Sequence, residues 1–304
     1  SESGTIFAIP TYGFIVAFLL LLVGGFVRLA LDPDLHAVEP ASGWHEAGTA
    51  GVSWFLILRA FSSGSAALTG VEAISNGIPA FKKPEPKNAA ATLMSMAIIL
   101  AVLFFGITVL ANQLGVRHSD AISAPAQIAK TVFGDNVIFY AIQAFTALIL
   151  FLAANTAYAD FPRLGSILAR DRFLPHQFLF RGDRLAFSNG ILVLGGASVL
   201  LLVVFDASVN RLIPLYAFGV FLSFTLSQSG MIIHWLRLRG TSWRSSIVIN
   251  AIGAVTTGVV AVIVGGTKFA EGAWIAMVMI VVLGCLLWAI YRHYTGVERK
   301  LAVP

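Results

Sequence analysis

Residues 52–81 read VSWFLILRAFSSGSAALTGVEAISNGIPAF, and this stretch decides the fold. It is mostly apolar, yet it carries one carboxylate, Glu72, within a region rich in Gly and Ser that ends at Pro79. As one straight helix it would be about 45 Å long, whereas the hydrocarbon core of a membrane is about 30 Å thick. The glycines and Pro79 offer a break, so we predict a discontinuous membrane-spanning helix.

Glu72 suggests that the break serves a function. An ionised carboxylate at membrane depth costs about 3 kcal/mol even on lenient scales, so such residues usually face a cavity and serve transport or proton transfer. Two other interpretations stay open. The Gly and Ser residues also suit a close helix-packing face. A protonated Glu72 would also be able to donate a structural hydrogen bond to a neighbouring helix.

The whole composition is that of an integral membrane protein. The chain has 304 residues, of which 58% are hydrophobic and 12% charged, and its mean hydropathy is +0.85. These values exclude a soluble domain, and apolar runs of this length exclude alternating β-barrel strands. The single cysteine, Cys285, excludes a disulfide framework and a thiolate metal site. We assign the net charge of +5 to cytoplasmic loops rather than to nucleic-acid binding.

Eight membrane spans are predicted, with both termini in the cytoplasm of a multi-pass protein of the inner or plasma membrane. The apolar runs lie at about 10–31, 52–81, 89–114, 136–160, 188–205, 212–236, 245–266 and 272–294. With this orientation fourteen Lys and Arg residues lie on the cytoplasmic side of the membrane and five on the outer side. Cytoplasmic loops of membrane proteins carry such an excess of positive charge. The five outside are Arg28, Arg117, Lys130, Arg211 and Lys268.

Three separated motifs resemble one family of transporters. They are Thr69–Phe81 with the following Pro84 and Asn88–Ala91, then Asn155–Leu164 with Leu168–Pro175, and finally Ser3–Tyr12. In this order they resemble helices six, eight and five of amino acid–polyamine–organocation (APC) superfamily permeases. The chain is most similar to the KimA-type potassium importers, which are related to the KUP transporters.

This resemblance implies an all-α, LeuT-type architecture of two inverted repeats, of which residues 1–304 form one partial transmembrane domain. The chain then corresponds to helices five to twelve. Helices one to four and a cytosolic C-terminal domain are expected to be absent from it. Because the LeuT-type site lies between the repeats, we expect those first helices to be needed for function.

The resemblance also implies which residues handle ions. Thr69 and Glu72 would line a potassium path, with Glu72 a candidate for coupled protonation. Tyr216 matches a position near the cation, although a buried core tyrosine is an equal alternative. Asn155 and Thr156 lie deep in the eighth helix, where related transporters place ion ligands, and interhelical hydrogen bonds explain them as well.

Two further residues, Arg59 and Asn76, are candidates for a gate or an interface. Arg59 would otherwise extend its charged group to the membrane surface. No cofactor and no metal other than a potassium ion at Thr69 and Glu72 is expected. Potassium and protons are the expected transported or coupling ions, and membrane lipid is the expected surrounding.

The sequence lacks the motifs that are typical of several other classes of protein. The sequence contains no HExxH, no phosphate-binding glycine loop and no Gly-x-Ser-x-Gly, so we predict that the chain is not an enzyme. No histidine lies mid-span to bind haem. An amino acid permease and a structural membrane subunit remain alternatives, and a homodimer is left open. Glu72 favours a cation, because an anionic side chain repels the carboxylate of an amino acid.

Overall fold

The computed structural model describes residues 2–37, 53–78, 81–117, 119, 122–180, 188–240 and 243–301. Its α-helices are α1 (Glu2–Leu31), α2 (Trp54–Ser65), α3 (Glu72–Asn76), α4 (Glu85–Gln113), α5 (Ala124–Phe133), α6 (Val137–Arg170), α7 (Ser188–Val204), α8 (Val209–Leu238), α9 (Trp243–Thr267) and α10 (Trp274–Leu301). Short 3₁₀ turns cover Ala66–Leu68 and His176–Phe178, and a π-helical turn covers Phe269–Ala273.

The all-α membrane fold is confirmed. Within the described residues, seven helical segments are long and apolar enough to cross a membrane, and each coincides with a predicted span. The remaining predicted span, at 188–205 and fifth in chain order, forms the apolar helix α7, which has 17 residues. That length is at the lower end of the range of about 17–25 residues that a membrane-crossing helix needs.

The second span is discontinuous, as predicted. The Ser53 side chain begins α2 by accepting a hydrogen bond of 3.2 Å from the backbone N–H of Leu56. After α2 the chain passes through the 3₁₀ turn at Ala66–Leu68, and regular helix resumes only at Glu72. The interruption leaves backbone N–H and C=O groups without their helical partners. The small residues there let neighbouring groups reach and satisfy these polar groups where they are not exposed to lipid.

Two elements differ from the sequence prediction. Helix α6 continues to Arg170, ten residues beyond the predicted end of the fourth span, because Asp160 and Arg163 end the apolar run without ending the helix. Helix α5 was not predicted. Its ten residues are too short to span, but Ser123 at its start and Gly134 at its end, with φ +71°, are ordinary helix-boundary signals.

The chain divides into two compact units, and the boundaries that fall within the described residues are at Glu72/Ala73 and Ala157/Tyr158. The first unit contains α1, α4, α5 and α6 up to Ala157. Its core includes the fully buried side chains of Leu21, Leu110 and Ile128. Gly25 allows a close approach of α4, since a Cβ there would lie 2.6 Å from Leu110 Cδ1.

The second unit contains α2, Glu72, the end of α6 and α7 to α10. Its core is formed between α8 and α9 by Ala217, Phe221, Val260, Ala261 and Val264, and Ala66 packs against it. The 3₁₀ turn that precedes the break therefore rests on a packed surface. This packing determines where the site described below lies.

At Gly190, helix α7 packs closely against α6. A Cβ at Gly190 would lie 2.8 Å from Pro162 Cβ and 2.9 Å from Pro162 Cα, and a backbone atom cannot move aside easily. We expect Gly190→Ala to destabilise the fold by about 1–3 kcal/mol through overpacking. Thermal unfolding of the purified protein in detergent measures this loss.

Gly196→Ala is the matched control, because it lies in the same helix and a Cβ there would meet no heavy atom within 4 Å. Alanine in an open helical position is expected to leave stability unchanged or to raise it by up to about 1 kcal/mol. Equal unfolding temperatures for the two variants would contradict the proposed contact between α7 and Pro162.

Candidate binding site at the break in the second span

The backbone at the break exposes polar groups between two helical segments. Thr69 is extended, with φ −81° and ψ 161°, and Gly70 has φ +97°, a conformation that favours glycine. A Cβ at Gly70 would meet no atom within 4 Å, so conformation rather than space explains the glycine. The side chains of Thr69 and Glu72 are brought together around this turn.

The carboxylate of Glu72 is held by two hydrogen bonds. The backbone N–H of Gly70 donates to Oε2 over 2.7 Å, and the Tyr216 hydroxyl donates to Oε1 over 3.1 Å. The bond from Gly70 stays within the break, and the bond from Tyr216 connects Glu72 to α8. Hydrogen bonds thus link the carboxylate both to the backbone of the break and to α8.

Thr69 completes a cluster of oxygen atoms. Its Oγ1 donates to the carbonyl of Ala66 over 2.6 Å, and its side chain also interacts with the Tyr216 hydroxyl. The structure thus brings together three predicted site residues, Thr69, Glu72 and Tyr216, all within the second unit. Their part in binding stays a prediction.

The position of Tyr216 follows from the packing of α8. The next residue, Ala217, is buried against α9 in the core of the unit, and Phe221 follows one turn later on the same side. Tyr216 is 48% exposed and so does not belong to that core. Tyr216 therefore lies outside the α8–α9 core of this unit, and both interpretations of the residue, as an ion ligand or as a structural aromatic, stay predictions.

Asn155 and Thr156 belong to the first unit, and both side chains are exposed there. Thr156 Oγ1 donates to the backbone carbonyl of Leu152 over 3.1 Å, a bond within its own helix. The backbone of Asn76 ends α3, but its side chain lies outside the described part of the structure. The roles suggested for these three residues stay predictions.

Arg59 forms an ion pair with Glu271, and Lys268 Nζ donates to Glu271 Oε2 over 2.9 Å. Arg59 is among the residues predicted from the sequence, whereas Glu271 is not. Lys268 and Glu271 lie three residues apart between two apolar spans, and this spacing lets opposite charges pair. It is the sequence signal from which Glu271 could have been predicted.

A second contact region ties the connection after α6 to the end of α10. Arg172 Nη2 donates to Glu298 Oε1 over 2.9 Å, and its Nη1 also bonds to the same carboxylate. The rings of Phe173 and Tyr291 stack with centroids 4.7 Å apart. The hydrogen bonds and the negative charge of Glu298 raise the pKa of the Arg172 guanidinium above its ordinary value, so it stays charged.

The donor set at the break suits a hard cation better than a soft transition metal. In the described part of the chain, no group of three or more His, Cys, Asp and Glu side chains is placed to hold a metal ion. The cluster instead offers hydroxyl, carboxylate and carbonyl oxygens, which are hard ligands.

Comparison with known proteins now identifies the family. The sequence model of the family described as amino acid permease matches residues 1–285. The chain belongs to the amino acid permease family. Membership implies the LeuT-type architecture of the APC superfamily.

This permease chain is also similar to a curated relative. It is 46% identical over 306 aligned residues to the potassium transporter KimA of Bacillus subtilis (strain 168). The alignment covers 100% of the chain and 49% of KimA, so the chain spans about half the length of that relative. The resemblance noted from the sequence motifs is therefore confirmed.

Proposed function

We propose that this chain forms the ion-handling part of a potassium transporter in which the proton is the coupling ion. The observation that carries the proposal is the oxygen cluster of Thr69, Glu72 and Tyr216 at the break in the second span. The similarity to KimA, a potassium transporter, supports the choice of ion.

Each oxygen has a distinct part in this proposal. Glu72 supplies the negative charge that offsets the cost of dehydrating the cation, while Thr69 and Tyr216 supply neutral oxygens. When a cation binds, the Tyr216 hydroxyl turns its proton away from Glu72 and presents a lone pair. Protonation of Glu72 would neutralise the charge that holds the cation, so proton binding and potassium binding at this site affect each other.

The site also needs surroundings that these three residues do not provide. Tyr216 is 48% exposed among the described residues, which leaves room for further helices of the full-length protein to complete the wall of the site. Both termini of the chain lie in the cytoplasm, as its loop charges favour. A homodimer is compatible with this arrangement and is not required by it.

The test uses the full-length protein in cells that lack their own potassium uptake systems. We expect it to restore growth at micromolar potassium and to take up rubidium, a potassium substitute, against a gradient. Parallel uptake of labelled amino acids tests the alternative that the family description suggests. No growth rescue together with saturable amino acid uptake would show that the substrate proposal is wrong.

A further inference from the structure

The ion cluster around Glu271 connects parts of the second unit that are far apart in sequence. Arg59 lies in α2, whereas Lys268 and Glu271 lie in the connection between α9 and α10. The side chains of Lys268 and Glu271 are only 14% and 30% exposed, and that of Arg59 is 48% exposed. Partial burial strengthens such interactions compared with those of fully exposed pairs.

The residue after Glu271 is packed against the start of α8. Gly272 has φ +126°, and a Cβ there would lie 3.1 Å from Leu215 Cδ1 and 3.6 Å from the Arg211 carbonyl oxygen. Leu215 immediately precedes Tyr216 in α8. The turn that carries Glu271 is therefore in contact with the part of α8 that presents Tyr216 to Glu72.

Helix α2 has features of a movable element. At one end it leads to the break, where Gly70 has a left-handed conformation and open space around it. Its side chains that face the unit are small, with Ser62 and Ser65 buried. The Ser62 hydroxyl, 2% exposed, has no hydrogen-bond partner within the described residues.

We propose that the Arg59–Glu271 ion pair is a lock that holds α2 where the Glu72–Tyr216 contact forms, and that it opens during transport. The inference rests on the proposed function, because a carrier needs the elements around its site to alternate between two positions. Arg59 and Glu271 are positioning residues in this scheme, since they act through α2 and α8 rather than on the ion.

The decisive experiment links the two positions covalently. In the full-length protein, native cysteines including Cys285 are replaced by serine, and Arg59→Cys and Glu271→Cys are introduced together. A short bis-methanethiosulfonate linker joins them, and a thiol reductant releases them. We expect linking to lower rubidium uptake by about tenfold or more, with recovery after reduction, since a blocked gate stops the cycle.

A matched control uses the ion pair between Asp206 and Arg211, whose side chains are 86% and 63% exposed. These residues are close in sequence, so linking Asp206→Cys to Arg211→Cys is expected to leave uptake unchanged. The lock is overturned if the linked Arg59–Glu271 protein transports as fast as its reduced form. It is equally overturned if this pair cannot be linked under conditions that link the control pair.

A second measurement does not depend on transport. Ser62→Cys replaces a buried hydroxyl with a thiol of similar size, whose labelling by a membrane-impermeant maleimide reports opening of α2. Adding Arg59→Gln is expected to raise the labelling rate by about fivefold or more, whereas adding Asp206→Asn is not. An unchanged rate with Arg59→Gln overturns the lock, whatever substrate the full-length protein carries.

Discussion

Glu72→Gln in the full-length protein is expected to lower rubidium uptake by about a hundredfold. The amide keeps the size of the side chain, and it can still accept from the Gly70 N–H and donate to the Tyr216 oxygen. What it loses is the charge that binds the cation and the group that carries the proton. Removing about 3 kcal/mol of binding energy corresponds to roughly a hundredfold. Uptake in proteoliposomes of equal protein content measures the loss.

Thr69→Ala is the comparison variant for Glu72→Gln. It removes one neutral hydroxyl but leaves the backbone carbonyl, so a weakening of apparent affinity by about tenfold or less is expected. Wild-type uptake is expected to depend on the proton gradient, and Glu72→Gln is expected to abolish that dependence. An active Glu72→Gln variant, together with wild-type uptake that is independent of the proton gradient, would exclude a coupling role for Glu72.

Residues 1–304 on their own are expected to give no transport. Within this chain Tyr216 is 48% exposed and the side chain of Glu72 is only partly buried. Without a further wall, the oxygen cluster would face lipid or open water, and neither environment encloses a dehydrated cation. The helices that complete a LeuT-type site come from both inverted repeats.

The measurement compares residues 1–304 with the full-length protein, both reconstituted in the same lipid. The full-length protein is the control for lipid composition and ion gradient, and circular dichroism checks that the shorter chain is helical. Saturable, gradient-driven uptake by residues 1–304 would contradict this prediction, and it would also contradict the correspondence of the chain to helices five to twelve.

Much of the helical organisation could be predicted from the sequence because hydropathy acts locally. Each apolar run long enough to cross a membrane forms helix, and the break in the second span falls where Thr69 and Gly70 interrupt the run. The end of α6 was missed because hydropathy reports where the membrane ends rather than where the helix ends. The short helix α5 was missed because its boundary signals lie outside any apolar run.

The sequence by itself determined that this is a helical membrane protein, that its second span is broken, and that Thr69, Glu72 and Tyr216 are candidates for one site. Only the tertiary structure brought Tyr216 to Glu72 across 144 residues and paired Arg59 with Glu271. The physical reason is that apolar composition holds a helix in the membrane without setting its rotation about its own axis. Packing sets that rotation, here through Ala217 and Phe221 against α9 and through Gly272 against Leu215.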